Sequence, residues 1–189
     1  MDEIVKAALR KWPHVPHCHG WLALDARGEW YMRDERVQRA GHFPAVKGSR
    51  ITHEKLREFI HRNYAADERG AWFFQNGPQR VYVQLEAAPY VWRVQDAPGY
   101  PLVAHTGQAA GALQQAWLDE HGRLFAHTAL GFGLVHTADM ALAACAVEAA
   151  LQDGAGQDPG KGETGAWAPV ELPFAQMPAR FGYQLLPQP

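Results

Sequence analysis

Three times the chain writes one short phrase: Asp25-Ala-Arg-Gly28-Glu-Trp-Tyr31, Asp67-Glu-Arg-Gly70-Ala-Trp-Phe73 and Asp119-Glu-His-Gly122-Arg-Leu-Phe125. Asp is favoured at the opening of a type I turn, and a glycine three residues later enters the left-handed region with no Cβ to obstruct it. Apolar and aromatic residues follow at once, so each phrase reads as a turn that feeds a strand. A chain organised around such turns folds into hairpins. The flanking sequences and the spacings differ, and the second phrase follows a helical segment, which favours recurrence of a favourable turn over internal duplication.

The 189 residues, 47% of them hydrophobic, are enough to bury a core as one domain or two small ones. With 20% charged residues and a formal net charge of −2 there is no general positive field for nucleic acid or an anionic membrane. Two cysteines, Cys18 and Cys145, are too few for a disulfide scaffold and fit a reducing cytosol. The start, Met1-Asp-Glu-Ile-Val-Lys, is acidic and lacks an uninterrupted apolar stretch, and no run of about 18 apolar residues occurs. The expectation is a cytoplasmic protein with no nucleic-acid or membrane partner.

Periodicity places the elements. Residues 3 to 12 form a short helix with Ile4, Ala7, Ala8 and Leu9 on one side, ended by Pro13. Two prolines keep residues 13 to 19 extended. Trp21, Ala23, Trp30 and Met32 flank the first turn as a hairpin, and residues 33 to 50 read as a long charged connection. Leu56, Phe59, Ile60 and Tyr64 recur at helical spacing, with Thr52 placed as the cap. Val81, Val83 and Leu85 alternate with Arg80, Tyr82, Gln84 and Glu86, the pattern of a sheet with one wet face. Strands are expected near 90 to 94, 100 to 104, 116 to 118 and 124 to 129. A helix from about 138 to 151, capped by Thr137, carries Asp139 near its positive end and only Glu148 as an interior charge, so it reads as buried on most sides, with Cys145 inert inside it. Residues 154 to 165 are a Gly-rich linker by composition, and the proline-broken tail with Trp167, Phe174, Phe181 and Tyr183 is expected to run extended and to dock on the body or on a second subunit.

Chemistry is less legible. His14, His17, Cys18 and His19 cluster in one extended segment. Two imidazoles with the Cys18 thiolate suit zinc or iron, yet the spacing matches no established ligand pattern, a further ligand such as His105 or His127 has to come from elsewhere, and a solvent-facing histidine-rich loop is the favoured reading. His105, His127 and His136 each precede a threonine near a strand end or helix start. His127 and His136 around Gly131 and Gly133 are candidates to line a pocket for a carboxylate or phosphate, against a plain capping role. Gly131-x-Gly133 lacks the lysine or third glycine of a nucleotide loop. The single serine, Ser49, has no nucleophile-elbow context. Arg80 and Tyr82, with Gln84, Glu86, Tyr90, Trp92 and Arg93, offer an aromatic and polar surface that suits a protein interface better than stacked bases.

Gly28-Glu-Trp-Tyr31, the helix with Leu56-Arg-Glu-Phe59, and Arg80-Val-Tyr-Val-Gln-Leu-Glu-Ala-Ala-Pro-Tyr90 together resemble a family of uncharacterised proteobacterial proteins, over residues 20 to 92. In that family a Gly-x-Trp hairpin and a helix lead to a strand ending in a Val-Glu-Asp-Ala-Pro-Phe type segment, and a second small domain follows. Here Ala87 stands where the pattern has Asp. The resemblance implies a two-part α+β architecture with a boundary near Pro89, and implies no activity.

The chain is therefore expected to be α+β, with mainly antiparallel sheets, a helix packed on each, and two small subdomains. Its parts are an N-terminal helix and arm (1–19), a hairpin-helix-hairpin domain (20–89), a second strand-rich domain (90–153) and a linker with a docked tail (154–189). The leading function is non-catalytic binding of a small molecule or a protein partner, with homodimerisation open, no cofactor, and His105, His127, His136, Arg80 and Tyr82 as ligand-binding candidates. The alternative is a zinc- or iron-dependent enzyme using His14, His17 and His19.

Overall fold

In the computed structural model, which describes residues 1–155 and 166–189 and leaves out the side chains of 153–155, the first Asp-x-x-Gly phrase joins β1 (Cys18–Leu24) to β2 (Trp30–Met32). Leu22 lies opposite Met32 and Leu24 opposite Trp30. The second phrase joins β4 (Tyr64–Ala66) to β5 (Trp72–Asn76), and the third joins β9 (Leu113–Leu118) to β10 (Leu124–Thr128). All three turns use the aspartate in the same way. Oδ1 of Asp25 accepts from the amides of Arg27 and Glu29, that of Asp67 from Arg69 and Ala71, and that of Asp119 from His121 and Arg123, all at 2.8–3.0 Å. Gly28, Gly70 and Gly122 follow at φ of 78°, 76° and 72°, where a side chain would be strained.

The chain divides into two units, Met1–Pro89 with Gly182–Pro189, and Tyr90–Phe181. In the first, β3 (Ser49–Arg50) and β6 (Gln79–Leu85) complete a six-stranded sheet ordered β3-β2-β1-β6-β5-β4. Its neighbours are antiparallel except β1 and β6. In the second, β7 (Tyr90–Val94), β8 (Leu102–Ala104), β11 (Phe132–Val135) and β12 (Pro169–Glu171) join β9 and β10 in the order β12-β9-β10-β11-β7-β8, with β11 parallel to β7 and β12 parallel to β9. The sheets are thus mixed within an α+β fold that is mainly antiparallel.

The path β2-β1-β6-β5-β4 recurs in the second sheet as β8-β7-β11-β10-β9, with the same strand directions and the last strand returning parallel beside the first. The Asp67 and Asp119 turns hold equivalent positions in it. Flanking sequences too different to align conceal this, because one topology tolerates many apolar side chains at the same register.

Around the first sheet lie α1 (Glu3–Lys11), α2 (Glu35–Ala40) and α3 (Glu54–Arg62). The connection read as irregular over 33 to 50 contains α2, capped by Asp34 Oδ1 on the Val37 amide at 2.9 Å. α3 is capped by His53, not Thr52, through Nδ1 on the Leu56 amide, and Tyr64 belongs to β4 beyond its end. α1 turns Val5 inward and leaves Ile4 75% exposed, contrary to the expected face. Its run of apolar residues offers two faces, and docking of the Asp2 amide on Asn63 Oδ1 at 2.8 Å selects the one through Val5. The face of β6 expected to be wet is covered in part: Tyr82 is buried with Phe73 and Ala71, while Arg80, Gln84 and Glu86 are half-buried. Trp30, Leu24, Ile60 and Val83 form the other core face.

The second unit is centred on Trp92, Phe125, Leu134 and Met177. A short 3-10 turn over Thr137–Asp139 leads into α4 (Met140–Ala155). This helix is not buried on most sides: Ala143 and Ala146 are, while Cys145 is exposed and Leu151 is 53% exposed. Alanine favours the helix through its own propensity and does not require burial, which is why an uncharged Ala-rich run misleads here. Gly154 and Ala155 end α4, and the rest of the expected linker, 156–165, lies outside the described residues. The tail adds β12 to the sheet and forms α5 (Met177–Phe181), so it is only partly extended. Its last residues return to the first unit, where the Leu85 amide donates to Leu185 O at 2.8 Å and Tyr183 Oη donates to Ala87 O at 2.9 Å.

Candidate functional site

Alternation along a strand sends neighbouring residues to opposite faces, and in the first unit this divides the sheet's chemistry in two. Cys18, Leu22, Met32 and Val81 face α3 and line an apolar cleft of about 290 Å3 with Leu56, Ile60 and Phe74. His19, Arg33 and Gln84 line a second, polar cleft of about 370 Å3, with Gln38 and His42 beside them and residues 187–189 forming part of the wall.

Arg33 dominates the polar cleft. It follows β2 directly and is only 2% exposed. The loop after α2 wraps its guanidinium with backbone carbonyls: Nη1 donates to Val46 O and Lys47 O, and Nη2 donates to Gly41 O at 2.8 Å. Gly48 lets that loop close, since at φ 97° its Cβ would overlap the Met32 carbonyl. The ring of Phe43 lies 5.7 Å from the guanidinium carbon. Burial lowers the pKa of Arg33, but a guanidinium stays charged in a protein. Among the described residues no ion pair engages it. Its Nε has no hydrogen-bond partner among the described residues.

Two further buried polar atoms without a partner belong to side chains of the same cleft, Nε2 of His19 and Oε1 of Gln84. The His19 ring stacks on Tyr82 with centroids 4.5 Å apart, and Tyr82 Oη donates to Asp67 Oδ2 at 3.1 Å. Burial lowers the His19 pKa, and the charges of His17 and Arg69 add to it, so the imidazole is neutral at pH 7. Among the described residues no Asp or Glu side chain lines the cleft.

A second polar cluster is closed on itself. Lys47 Nζ donates to Asp25 Oδ2 at 2.9 Å and to Glu86 Oε2 at 3.0 Å, and Tyr31 Oη donates to Asp25 Oδ2 at 3.2 Å. Burial alone would lower the Lys47 pKa, but the bonds to both carboxylates outweigh it and raise it. This cluster ties the first turn to Glu86, just past β6.

The residues singled out from sequence are dispersed. His14 and His17 are exposed, and His17 meets Tyr82 edge-on at 5.9 Å. No group of three or more His, Cys, Asp or Glu side chains is placed to hold a metal ion among the described residues, so nothing supports the metal-dependent alternative built on His14, His17 and His19. Arg80 lies over the Phe73 ring at 4.5 Å and Tyr82 is buried, so this pair packs the sheet face. In the second unit, His105 Nδ1 accepts from the Val91 amide at 3.2 Å, His127 lies 5.3 Å from the Phe181 ring, and His136 caps the 3-10 turn through the Ala138 amide at 3.0 Å. His136 thus takes the capping place expected of Thr137. Tyr90 and Trp92, read as surface, are buried. His19 and Gln84 do meet in the polar cleft, where Arg33, not among the residues singled out from sequence, joins them. Within the run Arg33-Asp-Glu-Arg36-Val-Gln-Arg39 nothing in composition marks one arginine as buried; its position directly after β2 was the only available signal.

Against known proteins, the chain is similar in structure to a DUF1285 family protein from Silicibacter pomeroyi DSS-3 (12% identity, 75% of this chain and 82% of that one, TM-score 0.46). It is also similar to a DUF1285 family protein from Shewanella baltica OS155 (15% identity, 67% and 91%, TM-score 0.44). No curated protein matches it. The model of the family DUF2944, described as "Protein of unknown function (DUF2946)", matches residues 1–188, in agreement with the resemblance to an uncharacterised family read from residues 20 to 92. On that near-complete match, the chain belongs to the DUF2944 family.

Proposed function

We propose that this protein binds a small molecule, without catalysis, in the cleft lined by His19, Arg33 and Gln84. One observation carries the reading: three buried polar atoms without partners belong to side chains of a single cleft. Buried polar groups are nearly always hydrogen-bonded, and each one left unpaired costs about 1–3 kcal/mol. Three such costs gathered in one place describe a site whose partners arrive with a ligand. The volume, about 370 Å3, is at the small end of the range for small-molecule sites. The free cysteines Cys18 and Cys145 support a reducing compartment, the cytosol.

The test is thermal unfolding against a panel of small polar compounds, anionic and neutral, each at 10 mM. Some members are expected to raise Tm by several degrees in the wild type and by less in Gln84→Leu. A wild-type Tm that no member moves would overturn the reading.

A further inference from the structure

We infer that the ligand of this cleft is a small monocarboxylate that also carries a hydroxyl or amine, its carboxylate set against Arg33 and its donor against Gln84. The inference rests on the small-molecule reading of the same cleft and names the chemical class. A charge taken out of water is costly unless it is paired, and truncating or omitting its partner leaves that cost standing. Arg33 is almost wholly buried, and its neighbours disperse its charge over carbonyl oxygens without neutralising it. The missing partner is an anion.

The other unpaired atoms narrow the class. Val46, Lys47 and Gly41 take up three of the five guanidinium N–H groups, and among the described residues Nε is left with no acceptor, so a carboxylate is the complement of what remains. Oε1 of Gln84 can only accept, so the ligand must bring an N–H or O–H. Arg33 carries the one fixed positive side-chain charge among the described residues of the lining, and burial lowers the His19 pKa, so the lining offers a single fixed positive charge to a ligand. A dianion, such as the doubly ionised form of phosphate, would enter with half its charge unmet by that guanidinium.

Isothermal titration with lactate, glycolate and serine, against neutral lactamide, glycolamide and glycerol, and against propionate and inorganic phosphate, tests this directly. Lactate-type acids should bind the wild type at least ten times more tightly than their amides, and Arg33→Met should lose that binding at least a hundredfold while the exposed-site control Arg36→Met retains it. Gln84→Leu should erase the preference for lactate over propionate. Should Arg33→Met fail to fold, Arg33→Lys keeps the charge and is expected to retain weaker binding of the acids with no binding of the amides. Amides binding as well as acids, or phosphate binding more tightly than lactate, would refute the monocarboxylate class while leaving small-molecule binding intact. Binding of none of the probes, together with no response in the wider panel, would remove both readings.

Discussion

Nε1 of Trp30, a fully buried indole on β2, donates a 2.9 Å hydrogen bond to Nε2 of His61 in the last turn of α3. That bond needs an unprotonated nitrogen as acceptor, so it ties the packing of helix on sheet to the charge state of one imidazole. Burial first, and the charge of Arg57 second, lower the His61 pKa to about 4. The unfolded chain therefore takes up protons at higher pH than the folded one. The resulting stability is complete above about pH 6.5 and is lost as pH falls toward 4, by up to about 2–3 kcal/mol. His61→Gln keeps an acceptor for Trp30 and does not titrate. Urea unfolding at pH 7 and pH 5 should show a markedly smaller difference for His61→Gln than for the wild type, with a residual slope from His19 and His127, whose pKa values burial also lowers.

Asp25 is 3% exposed and is shared by two turn amides, Tyr31 and Lys47. Burial opposes its ionisation, but the bonds from Lys47 and from the amides of Glu29 and Arg27 hold its pKa below the usual carboxylate range. Its contribution is present above about pH 4 and is lost only as pH falls through the lowered value. Asp25→Ala is expected to cost about 2–3 kcal/mol in chemical denaturation at pH 7, because several donors lose their acceptor at once. Lys47→Met should cost clearly less, since that side chain is partly exposed.

Gly70 and Gly122 hold the same position in equivalent turns, with φ of 76° and 72°. A Cβ at Gly70 would overlap the carbonyl oxygen of Gly182, whereas one at Gly122 meets nothing within 4 Å. Gly122→Ala should cost about 1–2 kcal/mol, the price of a left-handed conformation. Gly70→Ala should cost about 3 kcal/mol or more, because backbone must move as well. Comparable midpoints for the two variants in thermal melts would contradict the tight approach of the tail to this turn.

Asp139 accepts from Arg93 Nε at 2.6 Å, Arg93 Nη2 at 2.9 Å and the Val94 amide at 3.1 Å, and so ties β7 to the start of α4. Asp139→Ala should destabilise by about 2–3 kcal/mol and expose β7 amides to hydrogen exchange. Arg93→Ala should do much less, as Arg93 is half exposed. Equal losses would show that the pair, and not the buried carboxylate, carries the effect.

The sequence by itself determined the local grammar: the three Asp-x-x-Gly turns, the β1–β2 hairpin, the helix around Leu56 to Ile60, and the α+β class. Each of these depends on residues close together in the chain, whose turn preferences and periodicities act before anything distant packs. Only the tertiary structure decided which faces are buried. Val5 over Ile4, the exposed side of α4, the burial of Tyr82 and the parallel return of β6 to β1 all follow from which surface arrives opposite, and one segment's own pattern does not contain that. The polar cleft is the clearest case. His19 on β1, Arg33 just past β2 and Gln84 on β6 are separated by up to 65 positions, and the register of two strand pairings assembles the site they form.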